Sequence, residues 1–196
     1  MSIVFVYYPN YERGGVKLNF LSFLKVIKRI DKTFYIITDG SFVSKSFNKN
    51  IKLINISKKK IPFINIKLSR SVVSIWKLIK LFNKYRKEKI NVISFQSSFF
   101  ISILCFFFKK NFTVRISEDP FQATQFADNI IFAYFIFLTK YITYNLSDRI
   151  LVNSRTMKNN VMKMIFNKNK IMLNYNKNIE KIKKINHKKK KIIFCQ

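Results

Sequence analysis

IVFVYYPNYERGGVKLNFLSFLKVIKRI, residues 3–30, holds the turn on which the fold depends. Residues 3–8 are apolar, β-branched and aromatic, which suits a strand. Residues 9–16 (PNYERGGV) form a loop, and 16–30 place apolar side chains at helical spacing. Two of the chain's three glycines, Gly14 and Gly15, stand where strand gives way to helix. Without a Cβ, the pair lets the backbone turn sharply or pass close to another group. A helix start at that point offers unpaired N–H groups and the positive end of a dipole, which suit a phosphate or carboxylate. A tight turn that needs glycine for packing alone fits equally well, since a bare GG is a weaker signal than GxGxxG followed by an acid.

Working outward, the apolar runs alternate between two periods. Strands are expected at 33–38 (TFYIIT), 51–56 (IKLINI), 91–95 (NVISF), 112–116 (FTVRI), 149–153 (RILVN) and 170–173 (KIML). Between them, helices are expected at 72–89, 98–108 and 155–166, and 126–146 is expected to be largely helical. Strands separated by helix-length segments imply βαβ crossovers, hence a doubly wound, mostly parallel α/β sheet covered on both faces. Ligands of such sheets sit beyond the C-terminal ends of the strands. The segments that matter are therefore 9–15, 39–41, 96–98, 117–120 and 153–155, all of them polar.

Composition sets the outer limits. A chain of 196 residues that is 48% hydrophobic, with 22 phenylalanines and 9 tyrosines, can bury one substantial core. Its 38 basic against 9 acidic residues give a net charge of +29 and attraction to polyanions: an anionic membrane, nucleic acid or a nucleotide diphosphate. Cys105 and Cys195 lie in apolar runs without metal-ligand spacing, which suits buried thiols in a reducing compartment. His187 is the one histidine, so a two-histidine metal site or a histidine-centred triad cannot be assembled from this chain. The apolar runs 99–108 (FFISILCFFF) and 130–138 (IIFAYFIFL) are closed by lysines well short of the roughly 20 residues a membrane span needs. With no basic-flanked secretory leader at 3–8, the expected location is cytoplasmic.

Residues 72–89 read as a basic amphipathic helix. Lys77, Lys80, Lys84 and Lys87 fall on one face, opposite Val72, Ile75, Ile79 and Phe82, with Trp76 at the margin. A covering helix with its solvated side outward explains this pattern. So does docking on an anionic bilayer, where each lysine near the surface contributes on the order of 1 kcal/mol. Lys58, Lys59, Lys60, Lys109 and Lys110 would add to such a surface.

Several segments together resemble a known family. YPNYERGGVKLNFLSFLKVI (8–27), VRISEDPF (114–121), KYITYNLSDRILVNSRTMKNNV (140–161) and KIMLNYNKNI (170–179) are similar to the amino-terminal domain of GT-B glycosyltransferases of the family 4 type. KIIFCQ (191–196) resembles the opening strand of that family's second domain. The likeness covers 3–39 and 113–179. It divides the chain into a Rossmann-like acceptor-binding domain (1–176), a basic linker (177–190) and the first strand of a donor domain (191–196).

The resemblance implies transfer of a glycosyl group from a nucleotide sugar to a glycan or lipid-linked acceptor, as in cell-surface polysaccharide synthesis. It implies retention of configuration, no required metal, and no cofactor beyond the nucleotide-sugar donor, which is a substrate. By this analogy Gly14 and Gly15 lie against the donor phosphate, Asn153, Ser154 and Arg155 line the cleft near the donor, and Ser117, Glu118 and Asp119 lie on the acceptor side. No catalytic residue is assigned. Glu118 and Asp119, the one adjacent acidic pair, are the candidates, standing where many relatives have a histidine. Asp119 before Pro120 also suits an ordinary turn. Asn153 or Ser154 could equally cap the helix that follows, and Asp148 suits a structural contact where a strand begins.

The family's phosphate-binding basic pair and paired glutamates belong to its second domain, so 1–196 alone is expected to lack most of a donor site and its activity. The alternative function is a non-catalytic basic protein binding nucleic acid or an anionic membrane. Against the former, no nucleic-acid motif is present, and the aromatics fall in apolar runs rather than among exposed lysines. No specific nucleic acid is expected as a partner.

Overall fold

Strand alternation decides which side chains meet. The computed structural model describes residues 2–9, 15–38, 49–56, 66–95, 98–125 and 129–174. In β1 (Ser2–Tyr7), Ile3, Phe5 and Tyr7 join one core while Val4 and Val6, followed by Tyr8, join another. That is the period-2 geometry of a strand buried on both faces. The remaining strands are β2 (Thr33–Thr38), β3 (Ile51–Asn55), β4 (Lys89–Ser94), β5 (Asn111–Arg115), β6 (Arg149–Val152) and β7 (Ile171–Leu173). All pair in parallel in the order β3-β2-β1-β4-β5-β6-β7. The mostly parallel sheet read from the sequence is, among the described residues, wholly parallel. Chain direction reverses its lateral march between β1 and β4, which makes that boundary the switch point of the sheet.

The helices divide unequally between the faces. α1 (Gly15–Ile27) covers one side with Phe20, Leu24 and Ile27. α2 (Ile66–Lys84), α3 (Ser98–Phe107), α5 (Ile130–Leu146) and α6 (Arg155–Met162) place Leu78, Phe82, Ile101, Cys105, Tyr144, Met157 and Val161 in the core on the other. Phe5 lies at its centre, its ring 5.3 Å from Tyr35 and 6.1 Å from Phe82. Burying a ring of this size contributes roughly 1.5–3 kcal/mol.

Four helices differ in extent from the sequence reading by more than one residue. The first helix stops at Ile27, three residues early, where the chain tightens into a turn closed by Ile30 N–H on Ile27 O. The second runs from Ile66 to Lys84 rather than 72–89. It ends in a turn in which Tyr85 N–H binds Leu81 O and Glu88 N–H binds Tyr85 O, so Lys87 lies beyond the helix and outside its basic face. Its buried stripe is Ser71, Ser74, Leu78 and Phe82, a regular i, i+3, i+7, i+11 set, while Val72 is 44% exposed. Small serines face inward because they meet a polar group of the sheet: the Tyr7 hydroxyl binds Ser74 Oγ at 2.5 Å, and Ser74 Oγ donates to Ser71 O at 2.7 Å.

The third difference is one of extent: within 126–146, expected to be largely helical, α5 starts at Ile130. A short α4 (Gln122–Gln125) precedes α5, whose start is capped by Asn129 Oδ1 accepting from Ile131 N at 2.8 Å. The last is that the helix expected over 155–166 closes at Met162, after which Met164 and Ile165 turn into the core. The expected linker and final strand, 177–196, lie outside the described residues.

Candidate functional site

The strand ends opposite the described helix C-termini form the ligand-facing edge of a parallel sheet. Around it, β1 continues into Tyr8 and Pro9, β2 ends at the buried Thr38, β4 leads to Phe95, β5 ends at Arg115 and β6 leads to Asn153. Backbone pairing continues past the strands and brings these exits together: Tyr8 N–H binds Ile37 O, Phe95 N–H binds Tyr7 O, and Ile116 N–H binds Leu151 O. Aromatic packing then fixes the floor, with the Tyr8 ring 4.6 Å from Phe20 and Phe20 5.5 Å from Phe95.

Of the glycine pair, Gly15 is the first residue of α1. Gly14 lies outside the described residues. At the β6 exit, Ser154 is the cap of α6: it has extended backbone, and its Oγ accepts from Met157 N at 3.1 Å. Arg155 is the first residue of that helix and is exposed. Asn153 turns the other way, its Oδ1 accepting from Arg115 Nη2 at 3.4 Å.

The segment 117–121 is built mainly from ties. Asp119 Oδ1 accepts from Phe121 N at 2.9 Å, closing an Asx turn around Pro120. Its Oδ2 accepts from Asn160 Nδ2 of α6 at 2.6 Å. Both carboxylate oxygens are thus engaged, and Asp119 positions this loop against α6. Glu118 is exposed beside it. An open cleft of about 520 Å³ lies here, lined by Asp119, Phe121, Gln122, Gln125 and Asn160. Two residues absent from the sequence reading complete the surroundings. Lys140 of α5 donates to Pro120 O at 3.0 Å; burial lowers its pKa, opposed by the nearby Glu118 and Asp119 carboxylates. Tyr144 is raised well above the ordinary phenol value by burial, and further by Asp119 and Glu118.

Arg115 is the main residue that sequence reasoning passed over. It is 9% exposed, at the end of a strand otherwise made of apolar and small polar side chains. Its guanidinium lies over the Phe95 ring, 5.6 Å from the centroid. The signal was available: one arginine inside the run FTVRI is costly to bury without a reason. Asp148, in contrast, does what the sequence suggested, its Oδ2 accepting from Phe112 N at 2.7 Å where β5 begins.

The lysines proposed for a membrane are only partly free to meet one. Lys77 donates to Asn55 O at the edge of the sheet. Lys80 lies 5.7 Å from the Trp76 ring and Lys84 5.5 Å from the Tyr85 ring, both exposed on α2. Among the described residues no group of three or more histidine, cysteine or acidic side chains could hold a metal ion. Nor is any described helix long and apolar enough to cross a membrane.

No protein-family model matches the sequence, and no curated protein matches it. Solved structures do. The Anabaena protein Alr3699/HepE, in complex with UDP-glucose, is similar over 90% of this chain and 44% of its own, at 10% identity and a TM-score of 0.57. The lipopolysaccharide outer core galactosyltransferase WaaB is similar over 90% of this chain and 46% of its own, at 14% identity and a TM-score of 0.54. The UDP-GlcNAc 2-epimerase of Methanocaldococcus jannaschii is similar over 88% and 45%, at 12% identity and a TM-score of 0.54. The fold is therefore the Rossmann-like α/β fold of GT-B amino-terminal domains. The chain spans about half the length of each of these structures. An epimerase among them means that the fold by itself does not choose the reaction.

Proposed function

We propose that this chain is the acceptor-side half of a glycosyltransferase of the family 4 type, which transfers a sugar from a nucleotide-sugar donor to a glycan or lipid-linked acceptor in cell-surface polysaccharide synthesis. The observation that carries the proposal is the parallel sheet ordered β3-β2-β1-β4-β5-β6-β7, with Gly15 starting a helix at the β1 exit and polar side chains at the β5 and β6 exits. The same architecture occurs in proteins solved with UDP and UDP-glucose. In this role the N–H groups at the start of α1 face the donor phosphates and stabilise charge on the leaving group. The loop that Asp119 anchors to Asn160 shapes the acceptor side, with Glu118 exposed toward it. Glycosyl transfer itself awaits a donor-holding partner domain.

Reaction at a membrane surface is part of the proposal. α5 follows β5 in a parallel crossover, so its amino-terminal half lies toward the same edge as the strand exits. There Ile130, Ile131, Phe132, Tyr134 and Phe135 are exposed, and no charged residue precedes Lys140 in the helix. An apolar ridge on a chain of net charge +29 suits an anionic bilayer that carries the acceptor.

Saturation-transfer NMR with UDP-glucose and UDP-GlcNAc, paired with salt titrations of DNA binding, tests the function. Contact with the nucleotide sugars and salt-labile, sequence-indifferent DNA binding is expected. Silence toward every nucleotide sugar, with site-discriminating DNA affinity, would replace this proposal with the nucleic-acid alternative.

A further inference from the structure

We propose that Arg115 is an anion-receiving residue at the strand-exit edge of the sheet, taking a phosphate or carboxylate group of the ligand on its guanidinium. The proposal deepens the functional reading above and rests on it for the identity of the ligand, though not for the presence of the site.

Three observations meet here. First, the Arg115 side chain is more than nine-tenths buried, yet among the described residues no carboxylate pairs with it. Its one described hydrogen bond is the long contact from Nη2 to Asn153 Oδ1, and its Nε is buried without a partner. Burial lowers its pKa, but a guanidinium stays protonated at any physiological pH, so the charge persists and is uncompensated. An arrangement of this kind weakens the folded state unless a ligand completes it.

Second, its position is at a ligand-facing strand end. Phe95 on one side belongs to the exit of β4, next to the switch point, and Asn153 on the other belongs to the exit of β6. Phe95 packs against the guanidinium and Asn153 takes one hydrogen bond from Nη2, which leaves Nε without a partner among the described residues. A planar guanidinium matches two oxygens of a phosphate or carboxylate.

Third, the other buried and unpartnered hydroxyls of described strand exits lie at the same edge. Thr38 Oγ1 at the end of β2 and Ser117 Oγ two residues past Arg115 are both buried with no hydrogen-bond partner among the described residues. Buried polar groups are normally paired, so three orphans at one end of one sheet point to a polar ligand.

The test uses the full chain, with inorganic pyrophosphate, UDP and uridine titrated by calorimetry into wild type, Arg115→Gln and Arg115→Lys. Pyrophosphate affinity is expected to fall about tenfold or more in Arg115→Gln and by less in Arg115→Lys, as for loss of a charged hydrogen bond. If UDP weakens in parallel while uridine does not change, the anion is the donor diphosphate. If pyrophosphate weakens and UDP does not, the anion belongs to the acceptor. Equal pyrophosphate affinity in wild type and Arg115→Gln, or none in wild type, overturns the proposal. Absence of binding to UDP and nucleotide sugars, together with site-discriminating DNA affinity, sinks the glycosyltransferase reading, while Arg115-dependent pyrophosphate binding leaves this site standing. Should the variants fail to fold, the arginine Nε–H resonances of wild type decide. One exchange-protected signal should shift with pyrophosphate, and its constancy at saturation refutes the site.

Discussion

α2 and α5 cover the same face of one sheet by opposite rules. α2 carries five basic residues, yet it buries Leu78 and Phe82 completely and sets Ser71 and Ser74 against the sheet. α5 is apolar almost all round, yet it buries Thr143 and Tyr144 and leaves Ile130 85% and Ile131 75% exposed. The more hydrophobic helix is the less covered one. Hydrophobicity measures what a helix could bury, whereas burial depends on whether anything lies across from it. α5 packs against α3 and α4, and its exposed apolar residues Ile130, Ile131, Phe132, Tyr134 and Phe135 all lie in its amino-terminal half.

The contrast can be broken most directly at Phe82. Phe82→Ala should cost about 3–5 kcal/mol in urea unfolding, since the ring is fully enclosed and contacts both Phe5 and Phe108. A loss below about 1 kcal/mol would mean that α2 is not seated as described.

A smaller effect sharpens the polar side of the same contact. Tyr7→Phe removes the hydroxyl that meets Ser74, which keeps its own bond to Ser71 O, so about 1 kcal/mol should be lost at neutral pH. Burial pushes the Tyr7 phenol from its ordinary 10.0 up to about 12, with the Ser74 hydrogen bond acting slightly against it. The unfolded phenol therefore ionises first, the unfolded state holds fewer protons, and stability falls as pH rises from 10 toward about 12. Melting curves across that window should be flatter in Tyr7→Phe than in wild type; parallel curves would contradict the burial of this hydroxyl.

The least change in stability is expected on α5. Phe135→Ser, at a position 57% exposed, should alter unfolding by no more than about 0.5 kcal/mol. The same substitution should reduce sedimentation with anionic vesicles, and undiminished vesicle binding would remove α5 from the membrane proposal. Lys80→Gln and Lys84→Gln, on the exposed face of α2, serve as the charge control.

Much of the frame was readable from residues. Runs such as TFYIIT and NVISF declare strands by their own composition, and the alternation with helical periods implies parallel pairing. The misreadings have local causes. For 72–89, the apolar residues Val72, Ile75, Ile79 and Phe82 made a plausible stripe, but the Tyr7 hydroxyl of another strand draws Ser71 and Ser74 inward and rotates the helix. For 126–146, the start of the helix at Ile130 is a capping event at Asn129, visible only once its side chain is seen on Ile131 N. In the site, Ser154 offered a cap and a cleft role alike, and its bond to Met157 N assigns the cap. Asp119 had a plain turn role in the sequence, but its grip on Asn160, 41 positions away, had no local signature.

Sequence alone determined the kind of sheet and the location of its polar strand ends, because strand and helix periods and turn chemistry are properties of neighbouring residues. Only the tertiary structure decided that Arg115 would lie between Phe95 and Asn153, the latter 38 positions along the chain, with no counter-charge among the described residues. That meeting depends on crossovers carrying separate strands to one edge, and contacts made across such distances leave no periodic mark in the chain that makes them.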